Sequence, residues 1–376
     1  MAGVPGVLRQ LRDKNFDLWL PAYLRRAATQ LGRPRPSGLR HLLFAFCDHF
    51  EPRWQSPGEE VARARVQRWT AGYPQLAEGF RDATGRRPRH SFFFPAEEYA
   101  PAYLDGLAVL ARAGLGEVEL HLHHDGDTAA SLRASITAAL QLYASHGHLS
   151  RQGDRHRYGF IHGNWCLANA RPDGRWCGVD AELPVLHQTG CYADFTFPAA
   201  PDPSQPKVVN QIYWPAGDVA DVGRRRAQDH AEPARVGHRH ADRILIIAGP
   251  LALALRPRRR FIAIENGDVT GANPATAARV DQWVRQNIHV QGRPEWVFVK
   301  VHTHGAQEAH ADALLGQGGR RLHEALGRYN DGTRWALHYV TAREMYNVAC
   351  AAMAGKTGNP ADHLDFQLSP PPIAKS

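Results

Sequence analysis

Three histidines within four positions, His121, His123 and His124, followed by Asp125, are the most informative residues of this 376-residue chain. Side chains alternate between faces along a strand, so His121 and His123 point the same way and can ligate one metal ion. His124 or Asp125, one step further, offers a third ligand where the strand stops. Asp48 and His49 form a similar pair after the apolar run Leu42–Cys47. Asp48, His49, His121, His123 and His124 together make a candidate ligand set for a divalent metal, zinc first. Catalytic zinc takes imidazole and carboxylate ligands and keeps one position for water. Such an ion lowers the pKa of its water and polarises a carbonyl. Asp48 has the chemistry to take that water's proton, and His302 or His304 to protonate a leaving group. Asp194 or Glu265 can orient His302 or hold a substrate hydroxyl. Metal-assisted hydrolysis is the reaction class implied.

These residues need elements to bring them together, and the pattern supplies them. Short apolar runs recur at Leu42–Cys47, Ser91–Phe94, Val118–Leu122, Tyr158–Ile161, Cys191–Phe195, Phe261–Ile264, Val297–Val301 and Trp335–Val340. Helix-like stretches intervene, among them 59–80, 128–143, 276–288 and 322–329. Short buried strands alternating with helices argue for a parallel α/β sheet, and seven or eight of them for a closed or nearly closed barrel. In such folds the carboxyl ends of the strands gather on one face. Almost every run here is followed by polar residues. Cys47-Asp48-His49-Phe50-Glu51 follows the first and His162-Gly163-Asn164-Trp165 the fourth; Glu265-Asn266-Gly267-Asp268 and His302-Thr303-His304 follow later ones. His162, Asn164, Trp165 and Glu265 are therefore candidate substrate contacts. Trp54, Trp165, Tyr192 and Trp214 follow or flank strand ends, where they can serve as core residues or as flat faces for a substrate.

Residues 1–38 read as an N-terminal helical appendage, with Leu8, Leu11, Phe16, Trp19, Leu20, Tyr23 and Leu24 as an apolar stripe between basic residues. Packing on the domain is the expected role of that stripe; a helix lying on a membrane surface is the alternative. The barrel domain is expected over 39–354, with 198–240 as an inserted loop rich in Pro, Arg and His, and 355–376 as a disordered tail.

The formal charge is +8, concentrated in short runs such as Arg224–Arg226 and Arg258–Arg260. No stacking aromatics interleave with those runs, so they read as solvated loops and nucleic acid is not an expected partner. Five cysteines with no C-x-x-C pair indicate neither a disulfide framework nor a zinc ribbon. Cys166 and Cys177 read as buried thiols. The longest apolar run, 244–255, is too short to span a bilayer, which needs about 20 residues. The first residues lack a signal peptide's apolar core, and a cytoplasmic protein is expected.

The order of these motifs resembles that of the polysaccharide deacetylase superfamily, the metal-dependent carbohydrate esterases, from about Leu42 to Met345. Asp48-His49 looks like a variant of the family's aspartate pair at the end of the first strand. Ser91-Phe92-Phe93-Phe94-Pro95 is similar to its phenylalanine-rich second strand. Glu117-Val118-Glu119-Leu120-His121-Leu122-His123-His124 is similar to its metal motif, and Leu186 to Asp194 to its helix followed by a tyrosine–aspartate strand. Val297-Phe298-Val299-Lys300-Val301-His302 resembles the strand ending in the acid histidine. The resemblance implies a distorted (β/α)7-8 barrel and a zinc-dependent hydrolase. Its implied substrate is an acyl group, most often acetyl, on an amino sugar or glycan, in surface or exopolysaccharide biosynthesis. The chain departs from the pattern in its His-x-His-His spacing and in lacking the arginine that usually follows the fourth strand. Those departures keep a catalytically inactive glycan-binding or assembly protein in view. A metal-independent glycosidase using Asp48 with Glu265 or Asp194 is the other rival.

Overall fold

The structure is a computed structural model that describes residues 14–31, 36–215, 229–256 and 261–375. Leu8, Leu11 and the Arg224–Arg226 and Arg258–Arg260 runs lie outside the described residues.

The chain forms a mixed α/β fold on a large, mostly parallel sheet. Its strands are β1 (Arg40–His49), β2 (His90–Pro95), β3 (Gly116–Leu122), β4 (Ser150–Gln152), β5 (Arg155–His162), β6 (Cys191–Asp194), β7 (Ile212–Pro215), β8 (Ala231–Pro233) and β9 (Leu245–Ile247). A ribbon of β10 (Ala252–Arg256) and β11 (Phe261–Glu265) follows, then β12 (Trp296–Thr303) and β13 (Trp335–Tyr339). The order in the main sheet is β12-β1-β2-β3-β5-β6-β9-β7-β8, with β13 also on β1 and β4 on β5. The pairs from β12 through to β9 are parallel, which gathers their carboxyl ends on one edge. Helices including Glu59–Glu78, Pro101–Arg112 and Ala129–Ser145 connect them. Thr128 caps the last of these by accepting from Ser131 N, an N-terminal signal readable in sequence.

Both faces of the sheet are buried, and alternation sorts the side chains. Leu42, Phe44 and Phe46 of β1 face the helix layer together with Val66, Trp69 and Leu107. Leu43, Ala45 and Cys47 face the opposite core, shared with Phe298 of β12 and Tyr192 of β6. Helix Ala342–Met353 is buried at every position and packs on that second core, as expected of a helix apolar on most sides.

Several sequence expectations change. Phe261–Ile264 forms a strand, but in the antiparallel β10–β11 ribbon outside the main sheet. The run 244–255 breaks at Gly249-Pro250 into β9 and β10. The 198–240 segment is more than a loop, because β7 and β8 extend the sheet antiparallel to β9 and β7 respectively. The tail from Gly355, expected to be disordered, packs on the domain. Arg343 Nη1 donates to the Leu368 carbonyl at 2.7 Å and Asn347 Nδ2 to the Leu364 carbonyl at 2.6 Å. Buried donors on the preceding helix thus find their acceptors in the tail. Helix Phe16–Leu31 seats Phe16 and Trp19 against Ala200, Val209 and Leu251, so that part of its stripe is used in packing. No helix among the described residues is long and apolar enough to cross a membrane.

Candidate metal centre

The carboxyl ends of β1, β3 and β12 bring five donors into two overlapping groups. His49 ends β1 on the inner face, where alternation places it beyond Cys47. The chain turns at Phe50, whose N–H donates to the Phe93 carbonyl at 3.0 Å, and delivers Glu51 to the same side. Ligand atoms of His49, Glu51 and His304 lie within 4.8 Å of one another, and those of Glu51, His121 and His123 do the same. Glu51 belongs to both groups. Its Oε1 stands 3.3 Å from His121 Nε2 and 3.5 Å from His123 Nε2. The ring of His49 is 4.9 Å from that of His121 and 4.8 Å from that of His304, centre to centre. Trp165 covers the group, with its ring 6.2 Å from both His49 and His304.

Hydrogen bonds behind these rings aim them. His121 Nδ1 donates to the Ile161 carbonyl at 2.8 Å, which leaves the Nε2 lone pair facing Glu51. His123 Nδ1 donates to Glu97 Oε1 at 2.5 Å, a carboxylate–histidine pair of the kind that orients metal ligands. Burial holds the His49 imidazole well below its usual range and His121 down to about 3, and lowers His304. Burial likewise raises the Glu51 carboxyl. For His123, burial works downward but is outweighed by the Glu97 carboxylate, so the net shift is upward. Neutral imidazoles present free lone pairs, and several of them crowded with a carboxylate out of water are costly unless a cation satisfies them. Nitrogen and carboxylate donors in this mixture suit zinc and its neighbours better than magnesium or calcium. The set therefore fits a divalent transition metal.

His49, His121 and His123 come together, joined by His304, whose role expected from the sequence is that of a proton donor; other candidates do not. Asp48 lies on the opposite face of β1 from His49. Its Oδ2 accepts from His90 Nε2 at 2.9 Å and its Oδ1 from Gly305 N at 2.6 Å. Both oxygens are thus engaged away from the donor groups, and Asp48 holds the turn that carries His304. A Cβ on Gly305 would fall 2.6 Å from a Trp69 ring carbon, so only glycine fits this turn. His124 leaves the group because the chain turns after β3. Its Nε2 lies 3.1 Å from Glu182 Oε1, in a separate cluster with His162.

His302 is buried on the inner face with its ring 6.0 Å from His49, outside the two donor groups, and its Nδ1 lacks a hydrogen-bond partner among the described residues. Asp194 accepts from Thr196 N and Oγ1 at 3.0 and 2.7 Å, and burial raises it to about 7. Glu265 is tied at 2.6–2.8 Å to Arg279 and at 2.8 Å to Trp283 Nε1, which leaves it anchoring its own loop. Asn164 turns the chain after β5 with a left-handed φ of 56°. Of the aromatic candidates, Tyr192 and Trp214 are core residues and Trp54 is half-buried.

Glu51 and Glu97 are absent from the candidates drawn from sequence. Both follow the rule that exposed the histidines, since each stands two residues beyond the last residue of its strand.

No protein-family model, curated protein or solved structure matches the chain.

Proposed function

We propose that this protein is a metal-dependent hydrolase that removes an acyl group, acetyl first, from an amino sugar or glycan in surface or exopolysaccharide biosynthesis. The observation that carries the reading is Glu51, shared between two three-donor groups at the carboxyl ends of parallel strands. That edge is where parallel α/β folds build active sites. His49, Glu51, His121, His123 and His304 would hold the ion, with zinc the best match to the donors. When bound, it would polarise the acyl carbonyl and acidify a water.

The chain's own residues supply the remaining parts. Trp165 forms a wall against which a sugar ring can lie. His302, buried beside His49 and held neutral by burial, would take the proton given up by the attacking water and pass it to the departing amine or alcohol. Glu97 fixes the His123 ring, and Asp48 fixes the His304 turn.

The proposed scaffold is a distorted (β/α)7-8 barrel of the polysaccharide deacetylase type. Two contacts to β12 support closure, one from just past β9 and one from just past β11. A Cβ on Gly249, just past β9, would collide with the Lys300 carbonyl, and Asp268 forms a parallel bridge with His302. A metal-independent glycosidase is disfavoured, because the Asp48 and Glu265 carboxylates are each held by several donors.

The test is metal content of the purified protein beside His49→Ala and His304→Ala, followed by acetate release from acetylated amino sugars. One equivalent of zinc, cobalt or nickel fewer in both folded variants than in wild type, with acetate released only by metal-loaded wild type, is the expected result. A wild type that holds no metal at this site after reconstitution removes the reading. Bound metal with no acetate release from any acetylated sugar redirects it to an inactive glycan-binding protein.

A further inference from the structure

A second group of donors, not used in the proposed chemistry, lies beneath the loop that follows β5. His162 ends β5, His124 follows β3, and Cys177 and Glu182 flank the entry to helix Glu182–Thr189. One ligand atom from each lies within 4.8 Å of the other three. Glu182 Oε1 is 3.1 Å from His124 Nε2 and 3.5 Å from His162 Nε2, while Glu182 Oε2 is 3.6 Å from Cys177 Sγ. His162, Cys177 and Glu182 are fully buried, and the His124 side chain is 5% exposed.

An ordinary buried hydrogen-bond cluster does not account for His162. Its Nδ1 donates to the Gly163 carbonyl, which puts the ring proton on that nitrogen. Nε2 is then a bare lone pair, fully buried, without a hydrogen-bond partner among the described residues, and turned toward a carboxylate oxygen. Two lone pairs facing one another out of water repel, and a cation between them removes the conflict.

We infer that His124, His162, Cys177 and Glu182 hold a structural zinc ion, separate from the centre built on Glu51. Two imidazoles, a thiolate and a carboxylate make the four donors of a closed tetrahedral site, with no position left for substrate. The sulfur selects zinc or another thiophilic metal over magnesium and calcium. On binding, the Cys177 thiol gives its proton to water and its sulfur to the metal.

The position explains what such an ion does. Residues 166–181 contain no helix or strand, a long irregular stretch for a compact fold. It is tied to the loop after β3, since Asp127 N donates to the Cys177 carbonyl at 3.1 Å. The four ligands join the loop after β3, the end of β5 and the stretch that leads into helix Glu182–Thr189, and Trp165 stands on the turn just after His162. The zinc thus fastens the wall that covers the first centre, whatever reaction that centre performs.

The experiment uses the full chain loaded with zinc or with cobalt alone. Cobalt-loaded wild type is expected to show a thiolate-to-cobalt charge-transfer band in the near ultraviolet. That band disappears in Cys177→Ser, which binds one zinc fewer than wild type. It persists in Cys166→Ser, whose thiol donates to the Asn164 carbonyl outside the group. It also persists in His49→Ala, so failure at the first centre and failure here are read apart. No band in cobalt-loaded wild type overturns the inference. A band and zinc content unchanged in Cys177→Ser overturn it equally. Should Cys177→Ser not fold, the wild-type band and its persistence in Cys166→Ser carry the test.

Discussion

Oε1 of Glu51 stands 3.3 Å from Nε2 of His121, a residue 70 positions further along the chain. One carboxylate oxygen so placed, with His123 Nε2 beside it at 3.5 Å, ties the end of β1 to the end of β3. Changing a residue that merely orients a ligand typically lowers metal affinity ~10–100-fold. Glu51→Gln keeps the shape and removes the charge from both donor groups. It is expected to weaken metal binding by more than about 100-fold, read by competition with a chelator. Glu97→Ala, which only releases the His123 ring, falls within the ~10–100-fold range. Equal affinities for wild type and Glu51→Gln would remove Glu51 from the ligand set.

Asp48 gives the opposite expectation. Its oxygens hold His90 and Gly305 N rather than the donor groups. Asp48→Asn should therefore retain the metal while losing stability, on the order of 1–3 kcal/mol for weakened buried hydrogen bonds. Metal analysis and denaturant unfolding of the same sample check both halves. Loss of metal from a folded Asp48→Asn protein would restore Asp48 as a ligand.

Arg343 anchors the last residues of the chain. Its Nε and Nη2 donate to Glu117 at 3.0 and 2.8 Å, and its Nη1 reaches Asp365 at 2.7 Å and the Leu368 carbonyl. Removing one partner of a buried pair costs roughly 3–5 kcal/mol, because the other charge is stranded. Arg343→Met is expected to show that loss and to open the segment after Gly355 to limited proteolysis. A variant as stable and protease-resistant as wild type would contradict the anchoring role.

Acid sensitivity should come partly from buried histidines that belong to neither donor group. Burial lowers His148 to about 4 and His323 to about 3 in the folded chain, against an ordinary value of about 6.5. Below that value the unfolded chain takes up protons that the folded chain refuses. Stability is therefore level above pH 6.5 and falls as pH drops toward 4 and then 3. A tenfold weaker hold on the proton corresponds to about 1.4 kcal/mol, so His148 contributes on the order of 2 kcal/mol to the loss. His148→Gln should shrink the stability difference between about pH 7.5 and about pH 4.5 by that amount in urea unfolding. An unchanged difference would show that His148 is not neutral in the folded state.

Much of this protein is legible from residue order alone. Apolar runs of strand length mark seven of the main-sheet strands to within a few residues, because a strand buried on both faces must be apolar nearly throughout. His121 and His123 were bound to share a face by the two-residue period, whatever lay around them. Which face looked inward was not written locally. Asp48 and His49 are neighbours of equal promise, and the helix layer's claim on Leu42, Phe44 and Phe46 sends Asp48 outward and His49 in. Glu51, Glu97 and Cys177 acquire meaning only through pairing and turns. The β1–β12 register sets Cys47 beside His302, and the path after β3 carries His124 away to Glu182. Periodicity is a property of a few adjacent residues and can be read from them. A ligand set is a meeting of side chains from distant segments, and strand register and loop closure alone decide which atoms arrive.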